Sequence, residues 1–213
     1  MTQNEIRHLY WRAGFGLQPK MQLPTSKDRV SVVNQLFKTS ATSTPLQIDL
    51  SYLDGLKPID LKNHPGLAKE IREKNQKKIL DLNYAWIRRL IDPQELLRER
   101  MTLFWANHFV CRERHPLYAQ YYNNTIRYFA LGNFRDFVKA ISKEAAMLRY
   151  LNGKQNRKQK PNENFARELM ELFTLGEGQY SETDIKESAR AFTGYNHDFE
   201  GSFLMRYAHH DTG

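Results

Sequence analysis

The chain has 213 residues, 40% hydrophobic and 26% charged, which is enough for a packed globular domain and excludes a disordered chain. A single cysteine, Cys111, excludes an internal disulfide scaffold and a cysteine-rich zinc site. The net charge of +8 and pI near 9.5 favour anionic partners at long range without naming one.

Thr2-x-x-Glu5 is a capping box, and Ile6, Leu9, Tyr10 and Ala13 follow at helical spacing, with Gly14 as the stop. A second helix is expected after Ser26, carrying Val30, Val33, Leu36 and Phe37. Residues 39–60 contain Ser, Thr and Pro without a clear period and are expected to wrap the surface. Pro65 and Gly66 precede a long helix, 67–91, whose apolar row is Leu67, Ile71, Ile79, Leu82, Trp86 and Leu90. Asp92 as cap, Pro93 at the first position and Glu95 three residues after the cap predict another helix, to about residue 110.

Further helices are expected over 118–131 and 133–151, stopped by Gly132 and Gly153, the second breaking near Ser142. Residues 152–161 read as a loop holding Lys154, Arg157, Lys158 and Lys160 without an acid. Asn162 is placed to cap a helix that Gly176 ends, and Ser181-x-x-Asp184 opens another that Gly194 ends. Only 203–207 suggests an extended piece. The predicted fold is all-α, an irregular multi-helix bundle of about eight helices in one domain over 1–213, with no significant sheet.

The helix after Asn162 concentrates chemistry. Phe165, Ala166, Leu169, Leu172 and Phe173 form one side, and Glu163, Asn164, Arg167, Glu168 and Glu171 the other. Glu163, Arg167 and Glu171 stand at i, i+4 and i+8, so one guanidinium is expected to bridge two carboxylates. Glu168 and Glu171, three apart, make an acid/base pair if water is excluded, and Glu168 is the leading candidate for an essential group. His108 shares a stripe with Leu97, Met101 and Phe104 and is expected to point inward, as a core histidine or towards Glu168 or Arg190. Arg12, in Arg12-Ala-Gly-Phe-Gly16, is a candidate contact for the polar face.

His209, His210 and Asp211, with His197 and Asp198, are metal-ligand residue types, so a divalent metal is the one cofactor the residues suggest, although no standard zinc spacing is present. The basic loop 154–160 lacks an aromatic for base stacking, so nucleic acid is not expected as a partner.

Several segments resemble a bacterial family known as domain of unknown function 1800. They are RAGFG (12–16), MTLFWANHF (101–109), ALGNFRDF (130–137), AMLRYLNG (146–153) and the long run PNENFARELMELFTLGEGQYSETDIKESARAFTGY (161–195). The resemblance implies a mostly helical bacterial protein about twice this length, so the chain is expected to be its N-terminal portion, with the remainder as a partner. Glu144-Ala145 stands where the family tends to have Asp-Pro. The N-terminus lacks the pattern of a signal peptide, which points to the cytoplasm, whereas many relatives are exported. No stretch reaches the length of a membrane span.

The leading functional expectation is a binding or assembly module that holds an unidentified ligand or protein in a polar groove along 162–176. The alternative is a hydrolase-type enzyme using Glu168, Glu171, Arg167 and His108, with or without a metal. A third is anion or nucleic-acid binding through the basic surface. No Gly-x-Ser-x-Gly occurs, and Cys111 has no histidine and acid at recognisable spacing.

Overall fold

Side-chain oxygens and prolines start most of the helices in the computed structural model, which describes residues 1–17 and 28–213. Thr2 Oγ1 accepts from Glu5 N and the Glu5 carboxylate accepts from Thr2 N at 2.7 Å, closing the capping box of α1 (Gln3–Ala13). Asp28 caps α2 (Arg29–Thr39); the start expected after Ser26 lies outside the described residues. Helix α2 buries Val32 and Leu36, whereas Val30 and Phe37 face outward, so its inward row begins two residues later than the apolar spacing suggested.

Ile6, Tyr10, Val32 and Leu36 form a small core with Leu96. Gly14 is required there because a Cβ at that position would fall inside the Leu96 side chain.

The segment after α2 does wrap the surface, but it ends in α3 (Pro58–Asn63), six residues long and too short to show a period. Pro58 and Pro65 occupy the first turns of α3 and α4 (Pro65–Ile91). Helix α5 (Leu96–His108) starts later than expected: Asp92 closes α4 by donating its N–H to the Arg88 carbonyl, and Glu95 is the cap residue. Helix α6 (Pro116–Phe129) again starts on proline.

Asn133 Oδ1 accepts from Arg135 N and Asp136 N at the head of α7 (Phe134–Ile141). The break at Ser142 forms without a proline. Ser142 Oγ donates to the Val138 carbonyl at 2.7 Å, and Glu144 is extended, its carboxylate accepting from Thr125 Oγ1 at 2.5 Å. Helices α8 (Ala145–Tyr150), α9 (Asn164–Glu171) and α10 (Glu182–Ala191) follow, α10 behind its expected Ser181–Asp184 capping box.

Strand β1 (Tyr195–His197) pairs antiparallel with β2 (Phe203–Met205), Asn196 opposite Leu204. Ten α-helices, eight of them seven residues or longer, and this two-stranded hairpin make the described residues an all-α fold.

The main core is aromatic: Phe109, Tyr118, Tyr122, Phe137, Phe165 and Phe173 meet Ile126, Ile141 and Met147 from α6 to α8. Beside it lies a buried polar knot. Arg127 donates to both Glu99 oxygens, at 2.5 and 3.2 Å, and to Asn123 Oδ1 and Asn124 Oδ1, while Trp86 Nε1 donates to Glu99 Oε2. Arg98 spends its guanidinium on the carbonyls of Ser40, Ala41, Arg127 and Tyr128. Amides on α6 then pin the strap that follows: Leu46 N donates to Asn124 Oδ1 and Ile48 N to Gln120 Oε1. Those bonds supply partners for backbone that no strand or helix satisfies, and they fix the strap 48–57 against α6.

Candidate functional site

Helix α9 begins at Asn164, whose N–H is accepted by Asn162 Oδ1 at 3.0 Å, and Asn164 Nδ2 ties the helix to the Leu151 carbonyl. Phe165, Ala166 and Leu169 are buried as expected. Leu172 is exposed, because α9 stops at Glu171 and the following turn carries Phe173 inward instead.

On the polar face, Arg167 pairs with Glu163 at 3.2 Å and with Glu182 of α10 at 2.7 Å. The hydrogen bonds that the guanidinium donates to the Glu182 carboxylate keep it firmly charged. The expected bridge from Arg167 to Glu171 is not formed, since Glu171 accepts from Tyr180 Oη at 2.8 Å and α10 offers Arg167 a closer acid. Glu168 is half-buried and makes no side-chain hydrogen bond or ion pair among the described residues. The Arg167 pairs face solvent, which screens them.

The other candidates lie apart from that face. His108 Nε2 is 2.9 Å from the Phe173 carbonyl, and its ring packs on Trp105, Phe109 and Phe173, in the manner of a core histidine. Arg12 is exposed on α1, in a shallow apolar cleft with Leu9 and Val33. Arg190 pairs with Glu187 at 2.7 Å and Asp211 at 3.7 Å and donates to the Gly213 carbonyl.

His210 Nδ1 lies 2.8 Å from the Thr193 carbonyl, Asp211 N donates to Thr193 Oγ1, and the His209 carbonyl accepts from Lys158 N. Among the described residues no three His, Cys, Asp or Glu side chains converge in a way that could hold a metal ion. Burial pushes the Cys111 thiol up to about 12, which keeps it protonated and inert at neutral pH.

A different constellation assembles around Tyr118, at the head of α6. His115 stacks on its ring at 4.2 Å, His197 meets the ring edge at 5.1 Å, and the Arg149 guanidinium lies 5.4 Å from its centroid. Glu113 holds Arg149 Nε at 2.8 Å and also accepts from the backbone of Arg114 and His115, which fixes the turn into α6. Tyr118 Oη donates to the Phe199 carbonyl.

Gly201, at φ +91, lets the hairpin turn lie on this ring; a Cβ there would stand 3.0 Å from it. Among the described residues two ring nitrogens, His115 Nδ1 and His197 Nε2, are buried without a hydrogen-bond partner, which is uncommon in native folds. His115 also lines a cleft of about 590 Å³, walled by the strap 48–57, by Leu117 and Tyr121 of α6, and by Phe199 and Glu200 of the hairpin turn.

Of these groups the sequence singled out only His197. The visible signal for His115 was its position directly before the Pro116 helix start. Nothing local announces that residues 113–118, 149 and 197–201 meet.

Burial pushes His115 down to about 4 and also lowers His197, so both imidazoles are neutral at pH 7. A histidine whose folded value is depressed stabilises the fold above its unfolded value, near 6.5. As pH falls from about 6.5 towards 4 the unfolded chain takes up protons that the folded site refuses, and stability drops. Solvent access at His115 limits its share to no more than about 2 kcal/mol. Urea unfolding at pH 7, 5.5 and 4.5 will show this loss in the wild type and a shallower one in His115→Gln. Identical slopes would assign the loss to other groups.

The fold and these contacts define a mostly helical protein with an aromatic and imidazole cluster beside one cleft. The family model described as "Protein of unknown function (DUF1800)" matches residues 8–213, and the chain belongs to that family. No curated protein and no solved structure matches the chain.

Proposed function

We propose that this protein is a binding module that seats a small neutral or cationic molecule in the cleft beside His115. The observation that carries this reading is the half-buried, neutral His115 ring in the wall of a cleft of about 590 Å³, a volume suited to a small ligand. Ile48, Leu50, Leu53, Leu117 and Phe199 offer apolar contact, while Asp49, Asp54 and Glu200 outnumber Lys57 at the polar positions and disfavour an anion. A neutral imidazole there accepts or donates one hydrogen bond and thereby orients the ligand.

The charged face of α9 is a second candidate surface of the module: its ion pairs with Glu163 and Glu182 face solvent and are open to a partner. A hydrolase using Glu168 draws support from that carboxylate's lack of a partner. Against it, Arg167 and Glu171 are engaged elsewhere and His108 is bonded to a backbone carbonyl.

The test is histidine-observed NMR of the isotope-labelled protein during a screen of neutral and cationic fragments bearing hydroxyl or amine groups. Hits should shift the His115 ring and leave His108 unmoved, vanish in His115→Phe, and persist in Glu168→Gln. A screen whose hits ignore His115, or that fails altogether, rejects the cleft. Loss of binding in Glu168→Gln alone moves the site to α9.

A further inference from the structure

Helix α4 carries an apolar row that no described residue of the chain covers. Leu80, Tyr84, Ile87 and Ile91 are 53%, 59%, 50% and 68% exposed. They step by four, three and four residues, the spacing by which one helix packs along another. The opposite side of the same helix, with Ile71 and Leu82, faces the molecule's own core. Four large apolar side chains aligned on one exposed face exceed the scattered hydrophobics of an ordinary surface.

The flank of the row identifies what covers it. Asp81 and Arg88 are both exposed and lie seven residues apart on the same side of the stripe. Among the described residues Asp81 has Lys78, at 3.4 Å, as its one ion partner, and Arg88 has no side-chain partner. When two such helices run antiparallel about a two-fold axis, Leu80 packs on the partner's Ile91 and Tyr84 on the partner's Ile87. That register sets Asp81 against the partner's Arg88 and, by symmetry, Arg88 against the partner's Asp81. A parallel pairing would turn the flank carrying Asp81 and Arg88 towards the partner's other flank, out of reach of these charges. The charges therefore complement the same surface turned round.

We infer that α4 is the contact of a symmetric, antiparallel homodimer, closed by the Leu80–Ile91 row and aligned by the Asp81–Arg88 pairs. The contact is about one dozen residues of helix on each side, which places it in the small, reversible class of interfaces with a dissociation constant on the order of micromolar.

Sedimentation equilibrium of the whole chain, from about 1 to about 200 μM at low salt, tests this. The wild type should pass from monomer to dimer across that range. Ile87→Glu should weaken association at least about tenfold, and so should Asp81→Arg or Arg88→Asp, each of which puts like charges face to face twice. The double variant Asp81→Arg with Arg88→Asp should recover wild-type association, because the swapped charges face each other again.

All three positions are exposed, so circular dichroism should show each variant folded. A wild type that is monomeric throughout overturns the proposal. A dimer indifferent to Ile87→Glu, or single-charge losses that the double variant does not rescue, overturns it as well.

Discussion

Truncating Glu99 to alanine will cost about 3–5 kcal/mol of folding free energy, because it strands a buried cation. Glu99 is 0% exposed and Arg127 1%. The carboxylate accepts from Arg127 Nε and Nη2 and from Trp86 Nε1, and Arg89 stands 3.7 Å away. Three arginines, Arg89, Arg98 and Arg127, surround the two acids Glu95 and Glu99, and burial already lowers Arg89 and Arg98. Removing one acid leaves Arg127 with only the Asn123 and Asn124 oxygens.

The paired replacement Glu99→Leu with Arg127→Met removes both charges together and should cost well under the sum of the two single changes, since no ion is left unpaired. Urea unfolding of the three variants measures both claims. A loss below about 1 kcal/mol for Glu99→Ala would show that water reaches the knot.

Phe109→Ala should cost a similar amount, about 3–5 kcal/mol, for a different reason. Its ring is fully buried, stacked on Trp105 and Phe134 and set edgewise to Phe137 at 4.9 Å. These surrounding rings belong to two separate helices, α5 and α7, and cannot all close on a void, so the lost transfer energy and the cavity add. Phe109 also touches Phe173, the residue that anchors the end of α9. Hydrogen exchange should therefore quicken in α9 before it quickens in α1, whose core is the separate cluster around Leu96. Phe109→Leu, which keeps most of the volume, should cost about 1.5 kcal/mol or less. Equal losses for Ala and Leu would mean that ring contacts rather than volume dominate.

Helix starts were largely legible in the residues. Thr2-x-x-Glu5 and Ser181-x-x-Asp184 cap as written, because a cap is a bond between residues two or three apart. Asp92-Pro93 misled for the same local reason: it looks like a start, but the preceding helix uses Asp92 as its end. Helix α3 escaped notice because six residues carry no period.

The polar face of α9 was legible as a face, with Glu163 beside Arg167. Its real neighbours, Glu182 and Tyr180, come from the next helix, so the predicted Arg167–Glu171 bridge lost to a tertiary partner. Glu99 and Arg127 were overlooked because charge alone does not say which face of a helix is covered.

What the residues alone determined is the all-α character and where most helices begin, which follow from periodicity and capping over a few neighbours. Which charged or imidazole groups are buried, and which meet, was decided only by tertiary packing. His115, Tyr118, Arg149 and His197 are up to 82 positions apart in the chain. They come together through the Glu113 turn, the α8 helix and the hairpin turn at Gly201. Desolvation and orphaned nitrogens are properties of enclosure, which no single helix possesses by itself.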